Sequence, residues 1–215
     1  MEYAEFIKKR IFEPLGMHHS YYGDNRSIIQ NRAYGYSKGK AGFEDAEYIN
    51  MSVIYAAGSL MMTTRDLLTW NKAILHHKLI SEASTTLLFT NYTTNDGKQI
   101  NYGYGWGLGN LRGSKMIHHG GNINGYSAME IWLPDEDVFV SMLTKRDDFS
   151  PDGLAYKLAA YLIGKPFPEQ DLNIVIVEDY TKKIRVVYKF EDDAVRYIMY
   201  KDGQLYSQRQ GWFQH

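Results

Sequence analysis

Two runs of large side chains, Tyr126 to Leu133 and Val138 to Thr144, flank Pro134-Asp135-Glu136-Asp137, and no other stretch restricts the possible folds as much. Four turn-forming residues between two strand-length runs spell a hairpin. Upstream lie Ile100 to Leu108, with alternate glycines, and a short strand from Lys115 to His119. Together these segments predict an antiparallel meander.

Helices surround it. Tyr3 to Phe12 places Ala4, Ile7 and Ile11 on one face, and Pro14 and Gly16 are expected to stop that helix. Thr63 is expected to cap a second helix through Leu67, Leu68, Trp70, Ile74 and Leu75, with Asp66 completing a capping box. A shorter helix begins at Ser81. A third long one takes Ser150 as N-cap and Pro151 at its first position, with Leu154, Leu158 and Leu162 inside. Gly164 and Pro166 end it. Met17 to Asn50 has no stable period and reads as loops and short strands. Beyond Pro168 only strands are predicted: Ile184 to Phe190, Val195 to Lys201 and Gln204 to Gln208, with Asp202-Gly203 as a hairpin turn. The expected class is α+β, divided into residues 1–168 and 169–215.

Charge and cysteine content narrow the function. Lys plus Arg is 24 against 25 for Asp plus Glu, so the basic surface that nucleic acid requires is missing. No cysteine is present, which excludes disulfides, thiolate metal sites and a Cys nucleophile. The longest mostly apolar stretch, Val53 to Met62, falls far short of the ~20 residues that span a bilayer. Charges at Glu2, Glu5, Lys8, Lys9 and Arg10 stand where a signal peptide needs an apolar run.

Several motifs suggest chemistry. Three histidine doublets, His18-His19, His76-His77 and His118-His119, lack metal-ligand spacing, so neither metal nor cofactor is expected. Gly35-Tyr36-Ser37-Lys38-Gly39 matches a nucleophile elbow, and Ser37 with Lys40 spells Ser-x-x-Lys. Neither has the strand or helix that the geometry demands. Tyr48-Ile49-Asn50 also lies in a loop-like stretch. Asp135 to Asp137 reads as a solvated turn, and Tyr102 to Gly109 lacks dinucleotide-binding spacing. His118-His119-Gly120-Gly121-Asn122 admits two readings. One is a wall where a backbone N–H and a histidine meet a developing oxyanion; the other is a glycine bulge with a solvent-facing histidine.

Taken in order, four segments carry a resemblance. They are Ile11-Phe12-Glu13-Pro14-Leu15-Gly16-Met17; Ala56-Ala57-Gly58-Ser59-Leu60 with Thr63-Thr64-Arg65-Asp66-Leu67; Tyr102-Gly103-Tyr104-Gly105-Trp106; and His119-Gly120-Gly121-Asn122-Ile123-Asn124-Gly125-Tyr126-Ser127. Over residues 2–165 the chain resembles the serine β-lactamase and penicillin-binding-protein superfamily. The branch includes class C β-lactamases, D-alanyl-D-alanine carboxypeptidases, D-aminopeptidases and esterases. The resemblance implies the C-terminal half of a serine β-lactamase-like fold, an antiparallel sheet flanked by helices. Residues 169–215 resemble the start of a lipocalin-like β module.

The resemblance also implies a chemistry, acyl-enzyme hydrolysis of amide or ester bonds in a small-molecule or peptide substrate. His119 and Gly121 match a His-x-Gly strand motif. Gly120 would line the substrate, and the Asn122 backbone N–H would serve the oxyanion hole. The family's Ser-x-x-Lys and Tyr-x-Asn or Tyr-x-Ser motifs precede the Pro14-Leu15-Gly16-Met17 segment. Ser37 and Tyr48 follow it and do not match by order. The expectation is therefore a hydrolase fragment, inactive alone and prone to self-association through an exposed sheet edge. Family members are often periplasmic, secreted or membrane-associated. Two other readings stand beside it: a non-catalytic binding protein of the same fold, and an independent esterase using Ser37.

Overall fold

The computed structural model describes residues 1–24 and 26–168 and, beyond them, the strand segments 185–189, 195–201 and 204–209. Two compact units result, Met1–Phe167 and Pro168–His215.

The first unit opens with helix α1 (Tyr3–Ile7), a π-helical turn (Lys8–Phe12) and α2 (Glu13–Leu15). The helix does not stop at Pro14, contrary to the sequence expectation. In the π turn the Glu13 N–H reaches back to the Lys8 carbonyl, and Pro14 falls where the ladder changes register, so its missing N–H costs little. Gly16, at φ +67°, ends the run. The Gly16 N–H donates to the Glu13 carbonyl and the Met17 N–H to the Phe12 carbonyl, a Schellman closure. Ile7, Phe12 and Met17 are buried together beneath it.

Short pairs follow. β1 (Tyr21–Tyr22) waits for β4, while β2 (Tyr36–Gly39) and β3 (Gly42–Asp45) form a hairpin. After α3 (Met51–Ile54), β4 (Leu60–Met61) pairs antiparallel with β1. Next come α4 (Thr64–Leu75) and α5 (Glu82–Leu88). Thr63 caps α4 as expected, accepting from Asp66 N–H, and Ser81, the expected start of the shorter helix, caps α5 by accepting from Ser84 N–H. Asp66 does not complete a capping box. Its carboxylate lacks the extra methylene of glutamate and is buried against the segment before β1, accepting from His19 N–H at 3.0 Å and the Ser20 hydroxyl at 2.7 Å.

The meander is four-stranded: β5 (Gly107–Leu111), β6 (Ser114–Ile123), β7 (Tyr126–Leu133) and β8 (Val138–Thr144), in that spatial order. β6 is twice the expected length, running past His119 through the glycine pair, because β7 pairs with it as far as Ile123↔Tyr126. Residues 100–106, expected to share the strand character, lie outside any strand; β5 begins only at Gly107.

α6 (Asp152–Leu162) packs on the face of the sheet that carries Met129, Ile131 and Leu133. Alternation sends Glu130 to the opposite face, where α4 lies. Helices thus flank both faces, an α+β architecture. The expected helix period is present in α6, but its face is rotated. Ala155, Ala159 and Ala160 are fully buried, while Leu154, Leu158 and Leu162 are exposed. Small alanines let the helix approach the large side chains of β7 and β8. The cap also shifts by one residue, from Ser150 to Pro151.

The second unit contains β9 (Arg185–Lys189), β10 (Val195–Lys201) and β11 (Gln204–Arg209), in the antiparallel order β11-β10-β9. Ile184, Phe190 and the predicted Asp202-Gly203 turn lie outside the described residues. Among the described residues no helix is long and apolar enough to cross a membrane.

The alanine face makes a prediction. Ala159→Leu overpacks the helix–sheet contact and is expected to cost about 1–3 kcal/mol in chemical denaturation. Leu158→Ser, on the exposed face, should change stability by no more than about 0.5 kcal/mol. The reverse order would mean that the leucines face the sheet.

Candidate active site

β5 begins at Gly107, opposite His118, so from His119 to Ile123 strand β6 is paired with β7 on one side only. Its other edge carries backbone groups that no described strand uses. Gly120 and Gly121 lie in this stretch. A Cβ added at either would meet only ordinary contacts, 3.6 Å or more away. Packing therefore does not require glycine at these positions. Their effect is to strip side chains from an edge that another backbone can approach. A cleft of about 260 Å³ opens beside them, lined by Gly120, Gly121, Asn122, Ser127, Pro151 and Asp152 among others.

The histidine doublet divides between the two faces. His118 points toward α6, with its ring 6.3 Å from that of Tyr156. Burial lowers its pKa, the neighbouring His119 lowers it further, and Asp152 opposes them. His119 is exposed on the other face. Its Nδ1 lies 2.6 Å from the Gly120 carbonyl oxygen, and its Nε2 lies 2.7 Å from the Tyr102 hydroxyl. The Asn122 side chain is committed to structure, donating to Ser127 Oγ at 2.8 Å and to the Asp147 carbonyl at 3.2 Å.

Ser37 and Lys40 are not brought together as a catalytic pair. Ser37 sits in strand β2 and Lys40 in the turn to β3, without the helical turn that would stack them. The Ser37 hydroxyl donates to Asp147 Oδ2 at 2.6 Å, and the same oxygen accepts from Gly125 N–H at 2.8 Å. Those two bonds hold the Asp147 carboxyl below its ordinary range, so it stays ionised and is a poor proton acceptor. The pair pins the β2–β3 hairpin to the β6–β7 turn, a structural duty. Tyr48 is exposed, and Asn50 caps α3 by accepting from Ser52 N–H. Within the turn from Pro134 to Asp137, Glu136 is tied down by the Ser114 hydroxyl.

Two residues near the site escaped the sequence reading. Tyr102 entered it only as part of a glycine-aromatic run. Glu130 lies directly opposite His119 in the β6–β7 register and opposite Ser141 in β7–β8. Its carboxyl accepts from Asn71 Nδ2 of α4 at 3.0 Å. Burial pushes its pKa up to about 7, and the Asn71 bond restrains the rise. The available signal was a lone charge inside an otherwise apolar strand. Among the described residues no three His, Asp or Glu side chains gather as metal ligands.

With this geometry in view, known proteins decide the family. The beta-lactamase family model matches residues 1–164. The chain belongs to the beta-lactamase family. Penicillin-binding protein 4* of Bacillus subtilis is 30% identical over 182 residues, which is 78% of this chain and 40% of that protein. The octameric penicillin-binding protein homologue from Pyrococcus abyssi superposes with a TM-score of 0.69 at 26% identity, covering 97% of this chain and 50% of that one. A D-stereospecific amidohydrolase from Streptomyces sp. shares the fold, with a TM-score of 0.63 at 23% identity over 76% of this chain and 49% of its own. This beta-lactamase family chain thus spans about half the length of the relatives it matches, or less.

Glu130 makes the stability of this beta-lactamase family chain pH-dependent. A carboxyl raised from 4.5 to about 7 binds its proton more tightly in the folded state. The stability that Glu130 contributes is therefore fully present below about pH 4.5, falls as pH rises through about 7, and is lost above it. Glu130→Gln removes that loss. Relative to wild type, the variant should gain up to about 3 kcal/mol between pH 5 and pH 8 in denaturant titrations. His118 acts in the opposite sense, so the difference between the two proteins is the informative quantity. A difference that does not change with pH would contradict the burial of this carboxyl.

Proposed function

We propose that residues 119–122 form the strand wall of a serine hydrolase active site that works through an acyl-enzyme on amide or ester bonds. The observation that carries this reading is the open edge of β6, stripped of side chains at two glycines that packing does not need. A substrate carbonyl laid along that edge meets backbone N–H groups, with Asn122 as the proposed oxyanion donor. His119, at the start of that edge, lines the site as a polar side chain held by Tyr102 and the Gly120 carbonyl. Related proteins are named for binding penicillin and for D-stereospecific amide hydrolysis. We carry over what these share, an amide carbonyl as the reacting group.

The nucleophile in this reading comes from outside these 215 residues. Ser37 provides the one Ser-x-x-Lys in the sequence, and its hydroxyl is engaged by a carboxylate in a hairpin. The chain alone is then inactive. We propose also that it self-associates, through the open sheet edge and the apolar outer face of α6 formed by Leu154, Leu158, Tyr161 and Leu162. Sedimentation of the chain should show species larger than the monomer, whereas a monomer with a sharp two-state melt would contradict this.

The catalytic reading is tested with the protein as its full gene encodes it, using fluorescent penicillin and a fluorophosphonate as acylating probes. His119→Ala should slow acylation by about 100-fold. Gly121→Val, which puts a branched side chain on the edge, should block it. Acylation at the wild-type rate in both variants would overturn the assignment.

A further inference from the structure

His119 has a partner on each ring nitrogen, and the two partners differ in kind. The Gly120 carbonyl, 2.6 Å from Nδ1, can only accept a hydrogen bond. Nδ1 therefore carries the ring proton, and in the neutral ring Nε2 is left with its lone pair. The Tyr102 hydroxyl, 2.7 Å from Nε2, must then donate. The two rings meet edge-on, with centroids 6.0 Å apart.

Tyr102 is held in place by its own backbone. Its carbonyl accepts from Tyr92 N–H at 3.0 Å, and it forms an isolated bridge to Gly107, the first residue of β5. The next residue, Gly103, lies so near the end of α5 that a Cβ there would stand 2.1 Å from the Leu88 carbonyl oxygen. Tyr104 N–H donates to that same oxygen at 3.0 Å. Glycine at 103 is thus a condition of the close approach that sets Tyr102 beside β6, where β5 leaves off.

We propose that Tyr102 is a further positioning residue of this site, whose hydroxyl fixes His119 in the Nδ1–H tautomer and holds the ring beside the open edge of β6. The proposal rests on the reading of His119 as a site residue. A histidine held in one tautomer keeps its donor, its acceptor and its ring orientation fixed, whereas a ring free to exchange moves the acceptor between Nδ1 and Nε2.

Ring ¹⁵N spectra of the full chain at alkaline pH test the pairing without any assay of activity. In the wild type, His119 should show a protonated-type Nδ1 and a hydrogen-bonded, unprotonated-type Nε2. In Tyr102→Phe the Nε2 signal should move to its unbonded position, and the ring should exchange between tautomers. Spectra unchanged by the substitution, or an Nε2–H tautomer in the wild type, would overturn the proposal. Should the Phe variant fail to fold, the wild type decides alone, through a Tyr102 hydroxyl proton coupled to Nε2 across the hydrogen bond; lack of that coupling also overturns it. In the protein as its full gene encodes it, Tyr102→Phe should lower the acylation rate constant about tenfold and leave probe binding unchanged. If His119→Ala slows acylation and Tyr102→Phe does not, the proposal fails while the site reading stands. Full acylation in both variants removes the site on which the proposal rests, although the spectra would still report the pair.

Discussion

The pairing of β6 with β7 is the constraint on which the rest depends. From Ile117↔Trp132 to Ile123↔Tyr126 it keeps Gly120, Gly121 and Asn122 extended, although all three residues disfavour a strand. Without that ladder the glycine pair would be a loop, and His119 would have no defined face. The same ladder fixes which side chains point where. It sends His118 toward α6 and His119 toward the open side, and it puts Met129 and Ile131 under the alanines of α6 while Glu130 meets Asn71.

Short polar ties then lock the surroundings to the ladder. Asp66 gathers the chain at His19 and Ser20, and Asp147 gathers Ser37 and Gly125. Each is an aspartate that accepts from both a backbone N–H and a hydroxyl from distant parts of the sequence. Such bonds contribute modestly to stability but specify position. Asp147 also accounts for the apparent nucleophile motif: the serine of Gly35 to Gly39 serves the fold.

Local signals were legible in the sequence. Thr63 caps one helix, a second starts at Ser81, Gly16 closes another, and the Pro134 to Asp137 turn joins the two strands that its flanks predict. What local chemistry hides is phase and reach. The leucines and alanines of α6 share one helical period, and only the bulk of the facing strands decides which set turns inward. Pro14 would end an ordinary helix, yet a π turn accommodates it. β6 outruns its own propensity because β7 lies beside it. Of the candidate site, His119, Gly120, Gly121 and Asn122 could be named only through the family resemblance, since spacing alone leaves a glycine bulge equally open. Their companions Tyr102 and Glu130 could not, since each reaches the site through a contact between residues distant in sequence.

The central claim is that this chain holds the wall of the site and not its nucleophile. It is tested most directly by peptide mapping after exposure of the 215-residue chain to a fluorophosphonate in large excess. The account predicts no adduct at Ser37, whose hydroxyl is bound to an ionised carboxylate. Stoichiometric modification of Ser37, lost on unfolding, would contradict it.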